Sequence, residues 1–156
     1  MIEKGERAPD VALADQDGKA VSLGDYAGRT VVLYFYPKAD TPGCTTQACG
    51  IRDRSDEYEQ AGATVIGVSP DEPAALRKFA DKYGLDYTLL GDPDHSAAEA
   101  YGVWGEKKNY GKTYMGVQRA TFIIDGEGTV AHVIPKASPK THDDEVLAAL
   151  GAAAAG

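Results

Sequence analysis

Short apolar runs alternate along the chain with longer segments of mixed polarity, which is the pattern of an α/β protein. The runs at 30–36 and 63–69 are mostly apolar or aromatic, as expected for strands buried on both faces. Pairs of shorter runs, joined by Asp17-Gly18 and by the turn 126–128, predict two hairpins. The predicted strands cover 11–14, 20–23, 30–36, 63–69, 87–90, 120–125 and 129–134.

The segments between these strands carry the start and stop signals of helices. No proline interrupts residues 43–60, which predicts one long helix, and Gly84 stops the helix that follows Pro73. Residues 102–118 are polar and show neither the helical nor the strand period, so we expect a loop there. The predicted helices cover 43–60, 73–83, 96–101 and 143–153.

The order of these elements is a hairpin, then β-α-β-α-β-α, then β-β-α. Strands that alternate with helices predict parallel pairs with right-handed crossovers, and the closing hairpin adds antiparallel pairs. We therefore expect an α/β fold with a central mixed β-sheet flanked by helices and an N-terminal hairpin. Residues 1–156 contain no linker, repeat or change of composition, so we expect a single domain.

Composition and charge exclude several classes of partner. A net charge of -8 disfavours binding to nucleic acid or to an anionic membrane surface, because both require clustered Lys and Arg. The charged N-terminus is followed by no apolar segment of the kind found in a signal peptide or membrane span, so we expect a cytoplasmic protein. The three histidines have no ligand spacing with the two cysteines, and we predict no metal site and no cofactor.

The two cysteines supply the candidate chemistry. Cys44 follows the predicted strand 30–36 and stands where the first long helix should begin. A helix N-terminus has unpaired N–H groups and about half a unit of positive charge, which stabilise an anion such as a thiolate. Cys44 is therefore a candidate nucleophile rather than a packing residue.

The residues around Cys44 also resemble a known family. Pro37-x-x-x-Thr41-x-x-Cys44, with Cys49 five residues further on, is similar to the active-site motif of the peroxiredoxins, and most closely to their bacterioferritin-comigratory-protein, or peroxiredoxin Q, branch. The segments 101–107, 110–116 and 116–125 resemble the same branch. The resemblance implies a thioredoxin-like fold and a thiol peroxidase that reduces hydrogen peroxide and organic hydroperoxides. It also implies a monomer that is recycled by thioredoxin or a similar dithiol.

Peroxide reduction requires a thiolate and donors that stabilise the departing oxygen. Thr41 is a candidate donor to the thiolate or the peroxide, and the N–H groups of Gly43 and Cys44 are candidate oxyanion donors. Pro37 and Pro42 are expected to shape the loop and shield it from water. For the substrate pocket we expect Tyr36, Pro37, Pro42 and Gly43.

A cation is also needed to keep the thiolate charged. The residues alone leave Arg119, Arg52 and Arg54 as alternatives. The resemblance implies Arg119, because the family has an arginine at the corresponding place, directly before a strand.

The spacing of the cysteines carries a mechanistic prediction. Residues i and i+5 of an α-helix have Cα atoms about 8.7 Å apart, whereas a disulfide requires about 7 Å or less. If Cys49 resolves a sulfenic acid on Cys44 as an intramolecular disulfide, the first turns of the helix must therefore open. The alternative is that Cys49 is a spectator in the core, which would leave an enzyme with one reactive cysteine.

Two other functions are compatible with a reactive cysteine pair. A dithiol–disulfide oxidoreductase would act on protein disulfides, but that class usually has two residues between its cysteines, against four here. A redox sensor would react about once and then switch a partner interaction.

Overall fold

The computed structural model describes residues 1–109 and 111–155, so Tyr110, in the predicted loop, and Gly156, at the end of the predicted domain, lie outside the described residues. Within these two described ranges, no helix is long and apolar enough to cross a membrane. The strands are β1 (Ala12–Asp15), β2 (Ala20–Ser22), β3 (Thr30–Phe35), β4 (Ala63–Ser69), β5 (Thr88–Gly91), β6 (Trp104–Asn109), β7 (Lys112–Val117), β8 (Thr121–Ile124) and β9 (Val130–Ile134). The α-helices are α1 (Pro42–Asp53), α2 (Ser55–Gln60), α3 (Pro73–Tyr83), α4 (Ser96–Ala100) and α5 (His142–Ala155).

Seven of the strands form one mixed sheet. Its order is β2-β1-β5-β4-β3-β8-β9, with β3, β4 and β5 parallel and the remaining neighbours antiparallel. The parallel strands are those that helices connect, and the antiparallel strands belong to the first and last hairpins. The predicted mixed sheet and both predicted hairpins are confirmed.

The interior strand β3 separates two hydrophobic clusters, because its side chains alternate between the faces of the sheet. Val31, Leu33 and Phe35 belong to one cluster, which includes two alanines of α4. Val32 and Tyr34 belong to the other, which is covered by α1, α2, α3 and α5. The helices therefore flank both faces of the sheet, and α1 packs on the face that Tyr34 shares.

The predicted loop at 102–118 is wrong, because β6 and β7 form an antiparallel hairpin there. Its register runs from Trp104 opposite Val117 to the turn near Gly111, whose φ of +76° is in the region that favours glycine. Much of β7 is exposed, and Tyr114 is 49% exposed. A hairpin that buries so little surface does not require alternating apolar residues, so the sequence lacks the usual strand signal.

The single long helix predicted at 43–60 is also wrong, because the chain leaves helical geometry at Arg54 and forms α1 and α2. Arg54 has φ −112° and ψ 21°. Its guanidinium binds Glu57 in the next turn and, at 2.6 Å, the carboxylate of Asp144 in α5. No proline or glycine marks this position, and a contact with a distant helix cannot be read from local periodicity.

His142 fastens the start of α5 to the sheet. Its Nε2 and the hydroxyl of Thr121 in β8 share a hydrogen bond of 2.8 Å, and its ring lies 5.9 Å from that of Tyr34. Burial, together with the smaller effect of the nearby charge of Arg119, lowers the pKa of His142 to about 4. The ring is therefore neutral at neutral pH.

The pH dependence of folding provides a test of this burial. An unfolded chain protonates His142 near its ordinary pKa of about 6.5, whereas the folded protein does so only at about 4. The free energy of unfolding should therefore lose a contribution as the pH falls from about 6.5 to about 4, and this loss should be smaller in His142→Gln. Urea unfolding of both proteins at several pH values measures the difference, and identical pH profiles would contradict it.

Candidate active site

Cys44 lies in the first turn of α1, directly beyond the end of β3 and the loop 36–41. Thr41 is the N-cap residue, and Pro42 occupies the first turn, where its missing N–H costs nothing. The first backbone bond of the helix runs from the N–H of Thr45 to the carbonyl of Thr41, so the N–H groups of Gly43 and Cys44 have no acceptor within the helix. The predicted position of Cys44 at a helix start is confirmed, and its side chain is 1% exposed.

Arg119 supplies a positive charge directly at the sulfur. It stands between β7 and β8, and its Nη2 donates to the Sγ of Cys44 at 3.4 Å. The two alternative arginines are engaged elsewhere: Arg52 binds Asp53 and the carbonyl of Tyr83, and Arg54 binds the two carboxylates described above. Of the three candidates, Arg119 is the one whose guanidinium contacts Cys44.

Gly43 allows this close approach. A Cβ at position 43 would lie 3.1 Å from Nη2 of Arg119 and 3.6 Å from Cγ of Pro139. The guanidinium therefore lies against the first turn of α1, where most side chains at position 43 would displace it. Pro139 borders the site as well, although nothing in its sequence context marked it.

Gln47 holds the other side of the guanidinium. It is 1% exposed and lies one turn after Cys44, and its Oε1 accepts a hydrogen bond of 2.7 Å from Nη1 of Arg119. The amide Nε2 of Gln47 is buried and has no partner among the described residues. Arg119 is thus oriented by one neutral acceptor and one sulfur, both presented by the same helix.

The hydroxyl of Thr41 does not donate to the sulfur of Cys44, although the sequence indicated Thr41 as a donor to the thiolate or the peroxide. Its Oγ1 donates to the carbonyl of Lys38 at 2.8 Å, and its side chain makes no capping bond to α1. The single proton of the hydroxyl is therefore in use, while its oxygen lone pairs are available to accept.

The loop that leads to α1 is tied to the loop that follows β4. The N–H of Ala39 donates to Oδ2 of Asp71 at 2.8 Å, and the hydroxyl of Ser69 donates to the same oxygen. From the sequence, Asp71 is only one of two acidic residues that directly precede α3. Its carboxylate instead positions the segment that precedes Cys44.

The residues expected to form the substrate pocket differ in how deeply they are buried. Tyr36 is buried in the same cluster as Cys44, its ring stacks on Tyr34 at 5.3 Å, and burial raises its pKa well above the usual value. Pro37 is partly buried, whereas Pro42 is exposed. Tyr36 thus contributes a neutral, apolar wall, and Pro42 lies on the outer surface of the first turn.

A second cation lies near the site and was not predicted from the sequence. The side chain of Lys107 in β6 packs over Gly116, where a Cβ would lie 3.0 Å from its Cδ. Burial lowers the pKa of Lys107, and the charge of Arg119 lowers it further, while Cys44 acts in the opposite direction. The hairpin β6–β7 therefore brings positive charge towards Cys44.

Both cysteines are free thiols in the intact helix α1. Cys44 is buried and Cys49 is partly exposed. Since the helix is continuous from Pro42 to Asp53, the geometric separation expected for residues i and i+5 applies, and a disulfide requires the helix to open.

Candidate metal ligands do not cluster in the described parts of the chain, 1–109 and 111–155. No group of three or more His, Cys, Asp or Glu side chains is placed there to hold a metal ion.

The sequence matches known proteins over most of its length. A model of the AhpC/TSA family matches residues 4–133. Peroxiredoxin Bcp of Escherichia coli strain K12 is 50% identical over 146 residues, which are 94% of this chain and 94% of that protein.

Two solved structures also match this chain over most of its length. Peroxidoxin BcpB of Mycobacterium tuberculosis has a TM-score of 0.87 at 38% identity, covering 97% of this chain and 98% of that one. The bacterioferritin comigratory protein of Xanthomonas campestris, studied for its alkyl peroxide reduction activity, has a TM-score of 0.87 at 38% identity, covering 92% of each chain. These matches confirm the predicted thioredoxin-like fold.

Removing the guanidinium should make Cys44 less reactive. In a Cys49→Ser background, where one thiol remains, we expect Arg119→Ala to slow alkylation of Cys44 by iodoacetamide at pH 7. The expected loss is about 10- to 100-fold, because a hydrogen bond to a charged group contributes roughly 1.5–3 kcal/mol.

The matched control is Arg77→Ala, which removes an exposed guanidinium that pairs with Asp17 and Asp81. Its alkylation rate should equal that of the parent. Equal rates for Arg119→Ala and the parent would show that Arg119 does not activate the thiol.

Proposed function

The chain belongs to the AhpC/TSA family and is a peroxiredoxin, a thiol-dependent peroxidase of the Bcp type; from this premise we propose that Cys44 is the cysteine oxidised by the hydroperoxide and that Cys49 resolves it. The observation that carries the proposal is the 3.4 Å contact between Arg119 and Cys44 at the N-terminus of α1. A cation and a helix N-terminus at one sulfur both favour the thiolate, which is the reactive form.

The first step is a nucleophilic attack by the thiolate of Cys44 on the OH-bearing oxygen of a hydroperoxide. A sulfur–oxygen bond forms and the oxygen–oxygen bond breaks. The remaining oxygen leaves as hydroxide or alkoxide and takes a proton to become water or an alcohol. The product on the protein is a sulfenic acid at Cys44.

The groups around Cys44 are suited to stabilise the departing oxygen. The guanidinium of Arg119 and the unpaired N–H groups of Gly43 and Cys44 supply donors where negative charge develops. The hydroxyl of Thr41 donates to Lys38, so its oxygen is oriented to accept the O–H of the hydroperoxide. Thr41 would then orient the substrate, while Arg119 and the helix amides stabilise the charge.

The second step uses Cys49. Its thiolate attacks the sulfur of Cys44, a sulfur–sulfur bond forms, and the sulfur–oxygen bond breaks to release hydroxide, which becomes water on protonation. Because both cysteines lie in α1, the first turns of the helix open before this bond forms. The disulfide then lies in an opened segment that an external dithiol can reach.

An external dithiol completes the cycle by exchange. It reduces the 44–49 disulfide to two thiols and is itself oxidised to a disulfide. Thioredoxin or a similar dithiol fits this role. A cytoplasmic location, a monomeric state and a single domain over 1–156 fit the same cycle and stay predictions.

The proposed substrates are hydrogen peroxide and organic hydroperoxides. The relative from Xanthomonas campestris is described by its alkyl peroxide reduction activity, which supports alkyl hydroperoxides for this chain. The burial of the Tyr36 ring in the same cluster as Cys44 is compatible with a peroxide that carries an organic group.

Replacing Cys44 with serine should abolish peroxide consumption, because a serine hydroxyl at neutral pH is a far weaker nucleophile than a thiolate. The measurement is the steady-state loss of hydrogen peroxide with a thioredoxin system as reductant. Substantial residual turnover would contradict the assignment of Cys44.

Replacing Cys49 with serine should leave one round of peroxide reduction and stop recycling by thioredoxin. Mass spectrometry after one equivalent of peroxide should show a sulfenic acid in Cys49→Ser and a 44–49 disulfide in the wild type. A wild-type steady-state rate in Cys49→Ser would make Cys49 a spectator.

A further inference from the structure

Two tyrosines connect the centre of the sheet to the segment between the cysteines. The hydroxyls of Tyr34 in β3 and Tyr87, just before β5, lie 2.8 Å apart. The hydroxyl of Tyr87 donates to the carbonyl of Ala48 at 3.2 Å. Since Tyr87 uses its proton on Ala48, Tyr34 donates to Tyr87. The acceptor at the end of this relay is the peptide group that joins Ala48 to Cys49.

The first tyrosine of this relay is held in place by the sheet. A Cβ at Gly67 in β4 would lie 2.8 Å from the hydroxyl oxygen of Tyr34, so the phenol occupies the space that a larger residue would fill. Burial raises the pKa of Tyr34 and of Tyr87 well above the usual value. Both hydroxyls are therefore protonated donors throughout the physiological pH range.

We propose that Tyr87 is a positioning residue that holds the Ala48–Cys49 peptide group in α1 and so sets the rate at which Cys49 is released to attack the Cys44 sulfenic acid. This inference rests on the proposed role of Cys49. It adds a residue outside the two reacting cysteines that controls the second step without contacting the peroxide.

The place of the contact along α1 supports this role. Beyond Cys49 the helix is held by other groups. Asp143 packs against Gly50, where a Cβ would lie 2.6 Å from Oδ2 of Asp143. The guanidinium of Arg52 donates to the carbonyl of Tyr83 at 2.5 Å. The turns that must open lie before these contacts. Tyr87 therefore binds the helix at the boundary between the part that opens and the part that stays fastened.

The chemical consequence is a competition for the sulfenic acid. While α1 is closed, Cys49 cannot reach Cys44, and a second molecule of peroxide can oxidise the sulfenic acid to a sulfinic acid. A contact that slows opening favours this second oxidation, and its loss favours the disulfide. Tyr87 should thus shift the balance between recycling and irreversible oxidation.

The test separates the two steps in Tyr87→Phe, which removes the hydroxyl and keeps the ring. Reduced protein is mixed with hydrogen peroxide, quenched at intervals with an alkylating reagent, and analysed by mass spectrometry for thiol, sulfenic acid and disulfide. We expect the disulfide to form about fivefold faster than in the wild type, the effect of losing one net hydrogen bond. The rate at which the Cys44 thiol is lost to peroxide should not change. At excess peroxide the fraction of sulfinic acid should fall.

Two further variants control for damage to the fold. Tyr34→Phe/Tyr87→Phe also removes the Tyr34 hydroxyl, which would lose its acceptor in the single variant, and it should show the same acceleration. Tyr101→Phe removes a hydroxyl that donates to the carbonyl of Pro9 at 2.6 Å, within the hydrophobic cluster on the opposite face of the sheet. It makes the same chemical change away from α1, and both rates should match the wild type.

The outcomes distinguish this inference from the proposed function. Disulfide formation at the wild-type rate in both Tyr87 variants contradicts the role of Tyr87 alone. An equal acceleration in Tyr101→Phe would assign the effect to general destabilisation and would also overturn it. A wild-type protein that forms no 44–49 disulfide contradicts both the inference and the proposed role of Cys49.

Discussion

The active site depends on one interaction, the contact of the Arg119 guanidinium with the sulfur of Cys44 across the first turn of α1. A partly buried cation is costly unless a negative charge and hydrogen-bond acceptors compensate it. Gln47 supplies an acceptor, Cys44 would supply the charge in its proposed thiolate form, and Gly43 leaves the space for both. Each partner therefore stabilises the other's ionised form, and the helix N-terminus adds to the effect.

The fold brings these groups together through the antiparallel part of the sheet. Arg119 stands just before β8, which pairs with β3, and β3 leads into the loop and helix that carry Cys44. The proposed cycle places two opposite structural requirements on α1. The helix must be closed to activate Cys44 and open for Cys49 to reach it, so the contacts along α1 determine chemistry as well as stability. The bond from Tyr87 to Ala48 is one such contact, placed beside the second cysteine.

The sequence predicted most of the sheet, because strands buried on both faces carry a strong local signal. It placed the strand at 63–69 with the observed bounds and Cys44 at a helix start. It missed the hairpin β6–β7, whose largely exposed β7 leaves no apolar alternation, and with it the position of Lys107. The break at Arg54 depends on a carboxylate about 90 residues further along the chain, which no local pattern encodes.

The site could be predicted only in part, because its contacts also join residues that are far apart in the sequence. Residues alone left three arginines open, and only the family resemblance favoured Arg119, since pairing between distant segments decides which guanidinium reaches the sulfur. The sequence around Gln47 does not distinguish a solvated position from one in the site, and the structure buries Gln47 against Arg119. The contacts of Asp71 with Ala39 and of Tyr87 with Ala48 join segments that are far apart in sequence, so they required coordinates.

The most direct test of the central claim is the ultraviolet absorbance of the Cys44 thiolate as a function of pH, measured in Cys49→Ser so that one sulfur contributes. If Arg119 and the helix N-terminus hold this sulfur ionised, the thiolate band should already be fully developed at pH 7. A band that appears only as the pH rises above about 8, where ordinary cysteines ionise, would contradict the account.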